Sequence, residues 1–153
     1  RALSGASVLV QDQLFATLDS TTRSVELGPH DRILLTDTVG FIKRPPHALL
    51  ASFRTTPEEA AEADLLLHVV DLSHPQYASQ IETVEQVLNE LGLEDRPTIL
   101  VFNKIDQMEG RDEEHPTAHP DGLAVSALTG AGLDALKGRI REMSLVNAVT
   151  LDL

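Results

Sequence analysis

Two continuous apolar runs constrain the fold of this chain more than any other feature of its sequence. Residues 65–71 (LLLHVVD) and 98–102 (TILVF) are apolar at nearly every position. Such runs are typical of strands that are buried on both faces, as in parallel sheets. Between them, apolar residues recur every three or four positions over residues 75–91, which predicts an amphipathic helix closed by Gly92. A strand, a helix and a strand in this order predict a parallel sheet covered by helices.

The segments on either side extend this pattern. Residues 24–27 and 33–37 are β-prone and are separated by Gly28-Pro29-His30-Asp31, which predicts an antiparallel hairpin. Residues 122–125 (GLAV) predict a last short strand, and residues 133–143 a last amphipathic helix. The hydroxyl-rich residues 15–23 lack helical periodicity, and we expect a solvated loop there.

Composition excludes several classes of protein. The 153 residues suffice for one domain with a core, and no apolar run approaches the roughly 20 residues that span a membrane. The absence of cysteine excludes disulfides and thiolate metal sites and fits a reducing cytoplasm. A net charge of −12 and an aromatic content of 3% argue against a surface that coats nucleic acid or stacks bases.

Polar residues follow three of the predicted strands. Asp37, Asn103 and Ser126 each stand at or just after a strand end, and ligands of parallel sheets bind outside those ends. Asp37 also begins a D-x-x-G motif that ends at Gly40. A carboxylate there can hold a divalent metal or its waters, and a glycine can bring its N–H close to a phosphate. Alone, this motif is a weak signal.

The segment Asn103-Lys104-Ile105-Asp106 directly follows a predicted buried strand and resembles the guanine-reading motif N-K-x-D of P-loop GTPases. By this resemblance, Asp106 would accept the N1–H and the exocyclic amino group of guanine. Adenine presents neither donor, so a buried carboxylate would be left unpaired at a cost of about 1–3 kcal/mol. Asn103 would sit near the base O6 and tie loops together, and the stem of Lys104 would cover one face of the ring.

The segment Ser126-Ala127-Leu128 follows the next strand and resembles the S-A-x motif of GTPases, whose backbone N–H meets the guanine O6. By itself the tripeptide carries almost no information. Its place after the hydroxyl-rich segment, D-x-x-G and N-K-x-D, in that order, supports the other motifs.

Three longer runs resemble the HflX family of GTPases, which bind the large ribosomal subunit and some of which split stalled ribosomes. They are residues 13–23 (QLFATLDSTTR), 35–42 (LTDTVGFI) and 63–71 (ADLLLHVVD). The resemblance implies a P-loop NTPase (Ras-like) three-layer α/β/α sandwich with a mostly parallel sheet and one antiparallel hairpin. It also implies hydrolysis of GTP to GDP with Mg²⁺, the 50S subunit as a partner and a cytoplasmic location. We expect a monomer with a partial GTPase domain over residues 1–146, and a tail or the start of another segment over residues 147–153.

The resemblance also assigns roles to single residues. Thr17 would be the switch I threonine that binds Mg²⁺ and the γ-phosphate, Asp37 would bind Mg²⁺ through water, and Gly40 would donate its N–H to the γ-phosphate. Phe41 occupies the position of a water-orienting glutamine, which a phenyl ring cannot replace, so slow hydrolysis and no certain catalytic residue are implied. The expected nucleotide-binding set is Thr17, Asp37, Thr38, Val39, Gly40, Asn103, Lys104, Asp106, Ser126, Ala127 and Leu128; the expected metal ligands are Thr17 and Asp37.

One departure from the family is large. The phosphate-binding loop G-x-x-x-x-G-K-S/T does not occur in these 153 residues, and neither the family's first strand nor its N-terminal region is matched. In the family that strand lies between the one that ends at Asp37 and the one that ends at Asp71. Without it two strand edges and an apolar slot would be exposed, and we expect residues 1–153 alone not to form a stable GTPase. A shortened chain, a partial sequence and a partner that fills the gap remain alternatives.

Two other functions remain open. In the first alternative, the chain is a degenerate domain that recognises guanine without hydrolysing GTP and acts through protein contacts. Alternatively, it would be a metal-dependent hydrolase built on Asp37, Asp71 and the acidic and histidine residues of 112–119. His68 has no partner at metal-binding spacing, and we expect it to be a packed core residue.

Overall fold

The computed structural model describes residues 2–3, 21–37, 60–108 and 119–150. They belong to two compact units. The hairpin unit comprises, among the described residues, 3, 21–37, 60–63 and 83–95, and the parallel-sheet unit comprises 2, 64–82, 96–108 and 119–150.

The hairpin unit contains strands β1 (Thr21–Gly28) and β2 (Asp31–Asp37), which pair antiparallel. One face is buried, since Val25 is 2% exposed whereas Leu34 is 75% exposed. The predicted hairpin is confirmed. The expected loop was wrong at residues 21–23, because these β-branched and long side chains pair with residues 35–37 and extend β1.

The parallel-sheet unit contains strands β3 (Leu66–Asp71), β4 (Thr98–Asn103) and β5 (Leu123–Ala124) in the order β3-β4-β5. Both pairings are parallel, as the apolar runs predicted. The central strand β4 is deeply buried, with Val101 at 1% and Phe102 at 2% exposure. The expectation that β3 is buried on both faces was wrong: β3 is an edge strand of the described sheet, and Val69 is 59% exposed.

Helix α1 (Tyr77–Glu90) follows β3 and supplies the centre of the apolar core. Its Ile81, 1% exposed, packs with Val70, Leu72 and Phe102. The predicted helix end is confirmed: Gly92 adopts φ 68° and donates its N–H to the Asn89 carbonyl at 2.9 Å.

Helix α2 (Leu133–Thr150) closes the described chain. Leu136 and Ile140, one helical turn apart, are 3% and 2% exposed, as the apolar spacing predicted. The helix continues seven residues beyond Met143, where the apolar pattern ended. Among the described residues, no helix is long and apolar enough to cross a membrane.

Candidate functional site

The end of the central strand β4 leads directly into a short, firmly held loop. Asn103 is the last residue of β4, and Lys104 takes the left-handed conformation with φ 70° before the 3-10 helix Ile105–Gln107. Backbone bonds fix both sides of this turn: the Leu72 N–H donates to the Asn103 carbonyl at 3.0 Å, and the Ile105 N–H to the Val125 carbonyl at 3.3 Å. The loop after β4 is therefore tied to the segments that follow β3 and β5.

The segment after β5 forms a tight loop that closes on itself. The Ser126 N–H donates to the Ala131 carbonyl at 2.9 Å, and the Gly130 N–H donates to the Ser126 carbonyl at 2.8 Å. Gly132 has φ 75°, and a Cβ at this position would lie 2.2 Å from the Ala124 carbonyl oxygen. Only glycine fits there without displacing the backbone of β5.

A side-chain hydrogen bond joins the two loops. Ser126, fully buried at 0% exposure, donates from Oγ to Asp106 Oδ1 at 2.5 Å. The same Oγ accepts the Thr129 N–H at 3.1 Å, which fixes the direction of the hydroxyl proton toward Asp106. In the described part of the chain Asp106 Oδ2 has no hydrogen-bond partner, so it remains available as an acceptor.

A second bond between the loops involves Asn103. Its Oδ1 accepts the Ala127 N–H at 2.9 Å. The sequence predicted that a backbone N–H of residues 126–128 faces a ligand oxygen, and here the Ala127 N–H is held by Asn103. Neither the Leu128 N–H nor Asn103 Nδ2 has a partner among the residues that the structure describes, so both are available donors.

Lys104 is anchored by a contact that the sequence did not predict. Its Nζ donates to Asp71 Oδ2 at 2.7 Å, and Asp71 Oδ1 accepts the N–H and the hydroxyl of Ser73 at 3.0 and 2.6 Å. Burial acts to raise the pKa of Asp71, but the hydrogen bonds from Lys104 and Ser73 and the charge of Lys104 outweigh it, and the pKa is lowered. The sequence placed Asp71 at the polar end of an apolar run and in the metal-hydrolase alternative, and nothing in it indicated Lys104 as its partner.

These groups together can recognise a flat heterocycle that carries two adjacent N–H donors. Asp106 can accept both donors, Asn103 Nδ2 and the Leu128 N–H can donate to a ring oxygen or nitrogen, and the Lys104 stem can cover a ring face. Guanine has this arrangement of donors and acceptors, and adenine does not.

The remaining expected site residues are not all described. Asp37 is the last residue of β2 in the hairpin unit, where its side chain is exposed. Thr17, Thr38, Val39, Gly40 and Phe41 lie outside the described residues.

The described residues offer little to the metal-hydrolase hypothesis. They contain no group of three or more histidine and acidic side chains that could hold a metal ion. Asp71 is occupied by Lys104 and Ser73, and residues 112–118 lie outside the described part. His68, expected as a packed core residue, is only half-buried in β3; burial and the nearby charge of His119 lower its pKa.

Comparison with known protein families gives one match over most of the chain. Residues 1–104 match the family described as "50S ribosome-binding GTPase". The match ends just after β4, at Lys104, so it includes the first half of the N-K-x-D segment.

Curated relatives extend the likeness through β5 and into α2. The chain is 49% identical over 141 residues to a protein of Magnetococcus marinus named "GTPase HflX", covering 92% of this chain and 33% of that protein. It is 48% identical over 143 residues to the protein of the same name from Gluconacetobacter diazotrophicus, covering 90% and 31%. The chain thus spans about a third of the length of the curated relatives it matches.

Solved structures agree with the fold. A crystal structure of an SsGBP mutation variant has a TM-score of 0.71 at 25% identity, covering 84% of this chain and 48% of that one. Together with the family match, it confirms the predicted fold class, an α/β fold of the P-loop NTPase type.

Proposed function

This chain belongs to the HflX family of GTPases, and from this premise we propose that it binds guanine nucleotides and takes part in the hydrolysis of GTP to GDP. The observation that carries the proposal is the hydrogen-bonded cluster of Asn103, Asp106, Ser126 and Ala127. It joins the loops after two neighbouring strands and leaves polar atoms available for a base.

In this proposal Asp106 selects guanine. Ser126 holds Oδ1 in place, and the carboxylate accepts the N1–H and the exocyclic amino group of the base. Asn103 Nδ2 and a backbone N–H of the loop over residues 126–128 face the purine edge. Because adenine would leave the carboxylate without donors, discrimination against it is a consequence of the geometry.

The phosphate side of the proposal rests on Thr17 and on residues 37–40. Asp37 is exposed, and no described residue bonds to its carboxylate, which is an oxygen ligand of the kind that Mg²⁺ prefers. Thr17 and Asp37 would hold the ion, Thr38, Val39 and Gly40 would lie beside the γ-phosphate, and bound Mg²⁺ would neutralise phosphate charge. With Phe41 at the usual glutamine position, we assign no catalytic residue and expect slow intrinsic hydrolysis.

A second candidate function is recognition of guanine nucleotides without hydrolysis, in which the chain acts through protein contacts as an interaction module. The same hydrogen-bonded cluster supports it, because its groups are assigned to the base and none of them is assigned to catalysis.

Titration with fluorescent GDP, in the presence of Mg²⁺, tests the proposal and separates the two functions. We expect the full-length gene product to bind GDP and GTP in preference to ADP and ATP, and to release phosphate from GTP. Binding and hydrolysis by the 153 residues alone would exclude the second function, whereas binding without hydrolysis by the full-length product would establish it. Equal affinity for GDP and ADP would contradict both.

The substitution Asp106→Asn tests the proposed contact between Asp106 and the base. An amide presents a donor where the carboxylate accepted, so preference should move from guanine toward xanthine nucleotides. Asp121→Asn is the matched control, because Asp121 is an exposed aspartate of the same unit outside the site. A loss of GDP binding without any gain for xanthine nucleotides would count against the assigned role of Asp106.

The partner in this proposal is the large ribosomal subunit, with a cytoplasmic location as its consequence. The description of the matching family names the 50S ribosome. Co-sedimentation of the full-length gene product with purified 50S subunits, stronger with a non-hydrolysable GTP analogue than with GDP, is the expected result. Equal sedimentation with and without subunits would contradict it.

A further inference from the structure

We propose that Asp71 is a positioning residue of the guanine site, which acts by fixing the ammonium group of Lys104. The inference rests on the proposed function, since it concerns the residue that would cover the face of the base. It adds a residue that belongs to neither the N-K-x-D nor the S-A-x segment.

The register of the sheet brings the two residues together. Asp71 and Asn103 are paired positions at the ends of the parallel strands β3 and β4, so the residue after Asn103 starts beside the Asp71 carboxylate. Lys104 Nζ reaches Asp71 Oδ2 at 2.7 Å, across 33 residues of sequence. Among the described residues, no other carboxylate forms an ion pair with Lys104.

The carboxylate is itself held in one orientation. Its Oδ1 accepts two bonds from Ser73, one from the N–H at 3.0 Å and one from the hydroxyl at 2.6 Å. This leaves Oδ2 directed at Lys104. A chain of contacts therefore runs from Ser73 through Asp71 to the lysine.

Both the backbone and the side chain of Lys104 depend on surrounding contacts to keep one conformation. Its backbone, with φ 70°, lies in a region that a residue with a Cβ rarely adopts, and such a conformation persists only when its surroundings hold it. Its side chain has four rotatable methylenes, whose ordering against a base would otherwise lower the affinity. An ammonium group already fixed by Asp71 leaves less freedom to be lost on binding.

The pair is partly exposed, with 44% of the Lys104 side chain and 35% of the Asp71 side chain accessible. The contribution of the ion pair to nucleotide affinity is therefore moderate. For an ion pair of this exposure we expect a loss of about threefold to fivefold in nucleotide affinity when the charge of Asp71 is removed.

The test measures GDP and GTP affinity and steady-state hydrolysis in the full-length gene product. Asp71→Asn keeps an oxygen that can accept the bonds from Ser73 and removes the charge that faces Lys104. Lys104→Met keeps the stem and removes the ammonium group. The double variant completes the cycle, and Asp121→Asn is the control for the loss of one acidic charge.

Asp71→Asn should weaken GDP and GTP binding equally and raise the KM for GTP by the same threefold to fivefold factor, with kcat unchanged. In the Lys104→Met background Asp71→Asn should have almost no further effect, because its partner is already absent. The difference between the wild type and Asp71→Asn should also shrink at high salt, which screens a partly exposed pair.

The outcomes distinguish the inference from its premise. If the wild type binds no guanine nucleotide, the proposed function and this inference both fail. If the wild type binds GDP and Asp71→Asn binds it equally well, or if the two substitutions act additively, only the positioning role is overturned. A general loss of fold in Asp71→Asn would appear as a fall in kcat and an additive cycle, which also contradicts the inference.

Discussion

The hydroxyl of Ser126 is wholly buried and donates to the Asp106 carboxylate at 2.5 Å, twenty residues earlier in the chain. Through this bond the loop after β5 sets the orientation of the acidic residue after β4. The selective group of the proposed site therefore depends on a residue that presents no surface to solvent.

Ser126→Ala should lower the free energy of unfolding by about 1–3 kcal/mol and weaken GDP binding, because the Thr129 N–H and Asp106 both lose a partner. Urea unfolding and GDP titration measure the two effects. Ser144→Ala in helix α2 is the control and should change stability by less than about 0.5 kcal/mol. Equal behaviour of the two variants would show that the buried bond contributes nothing.

Asn103→Ala should speed hydrogen exchange at the Ala127 amide about fivefold to tenfold, since the loss of its acceptor removes about 1 kcal/mol of protection. Asn103→Asp retains an oxygen for that amide and should exchange at nearly the wild-type rate. It lacks the Nδ2 donors, so its GDP affinity should still fall. Rapid exchange in both variants would contradict the bond from Ala127 to Oδ1.

Gly132→Ala should cost at least about 1–2 kcal/mol of stability, because the residue has φ 75° and its Cβ would lie 2.2 Å from the Ala124 carbonyl oxygen. Gly138→Ala is the matched control. It lies within α2 and a Cβ there meets nothing within 4 Å, so the change should stabilise the helix by about 0.5–1 kcal/mol. Thermal unfolding of both variants measures the contrast, and a stable Gly132→Ala would exclude the tight loop.

His68 should make the stability of the protein depend on pH. Burial, and secondarily the charge of His119, lower its pKa, so the folded state disfavours the protonated ring. The stability that neutral His68 contributes is fully present at pH values above its unfolded pKa of about 6.5. It is lost as the pH falls from there through the lowered pKa of His68 in the folded protein. His68→Gln should flatten this part of the curve, and His119→Gln should flatten it partly. Urea unfolding at a series of pH values measures the slopes, and identical slopes in all three proteins would contradict this origin.

The sequence predicted the elements whose signal is local. Apolar runs located β3 and β4, helical spacing located α1 and its end at Gly92, and turn residues located the hairpin. The N-K-x-D and S-A-x segments were predicted to lie together because both follow parallel strands, and the bond between Ser126 and Asp106 connects them.

What could not be predicted depends on contacts that are distant in sequence. Asp71 and Lys104 are 33 residues apart, and only the register of β3 against β4 makes them neighbours. The exposure of Val69 follows from the position of β3 at the edge of the described sheet, an edge that was expected from the family resemblance and not from the apolar run itself. The resemblance predicted that Asn103 ties loops together, but its particular partner, the Ala127 N–H, depends on a side-chain rotamer that sequence does not specify.

The central position of β4 has a consequence for the order in which this site can form. The guanine-facing loop follows the middle strand β4. The residues that bond to it, Asp71, Ser126 and Ala127, end β3 or follow β5 and are 20 to 33 residues away in sequence. Among the described residues, these contacts to the guanine-facing loop can therefore form only when the three strands are in register. A bound nucleotide would therefore stabilise the pairing of all three strands. Local opening of the parallel sheet would become slower even at residues that lie far from the base.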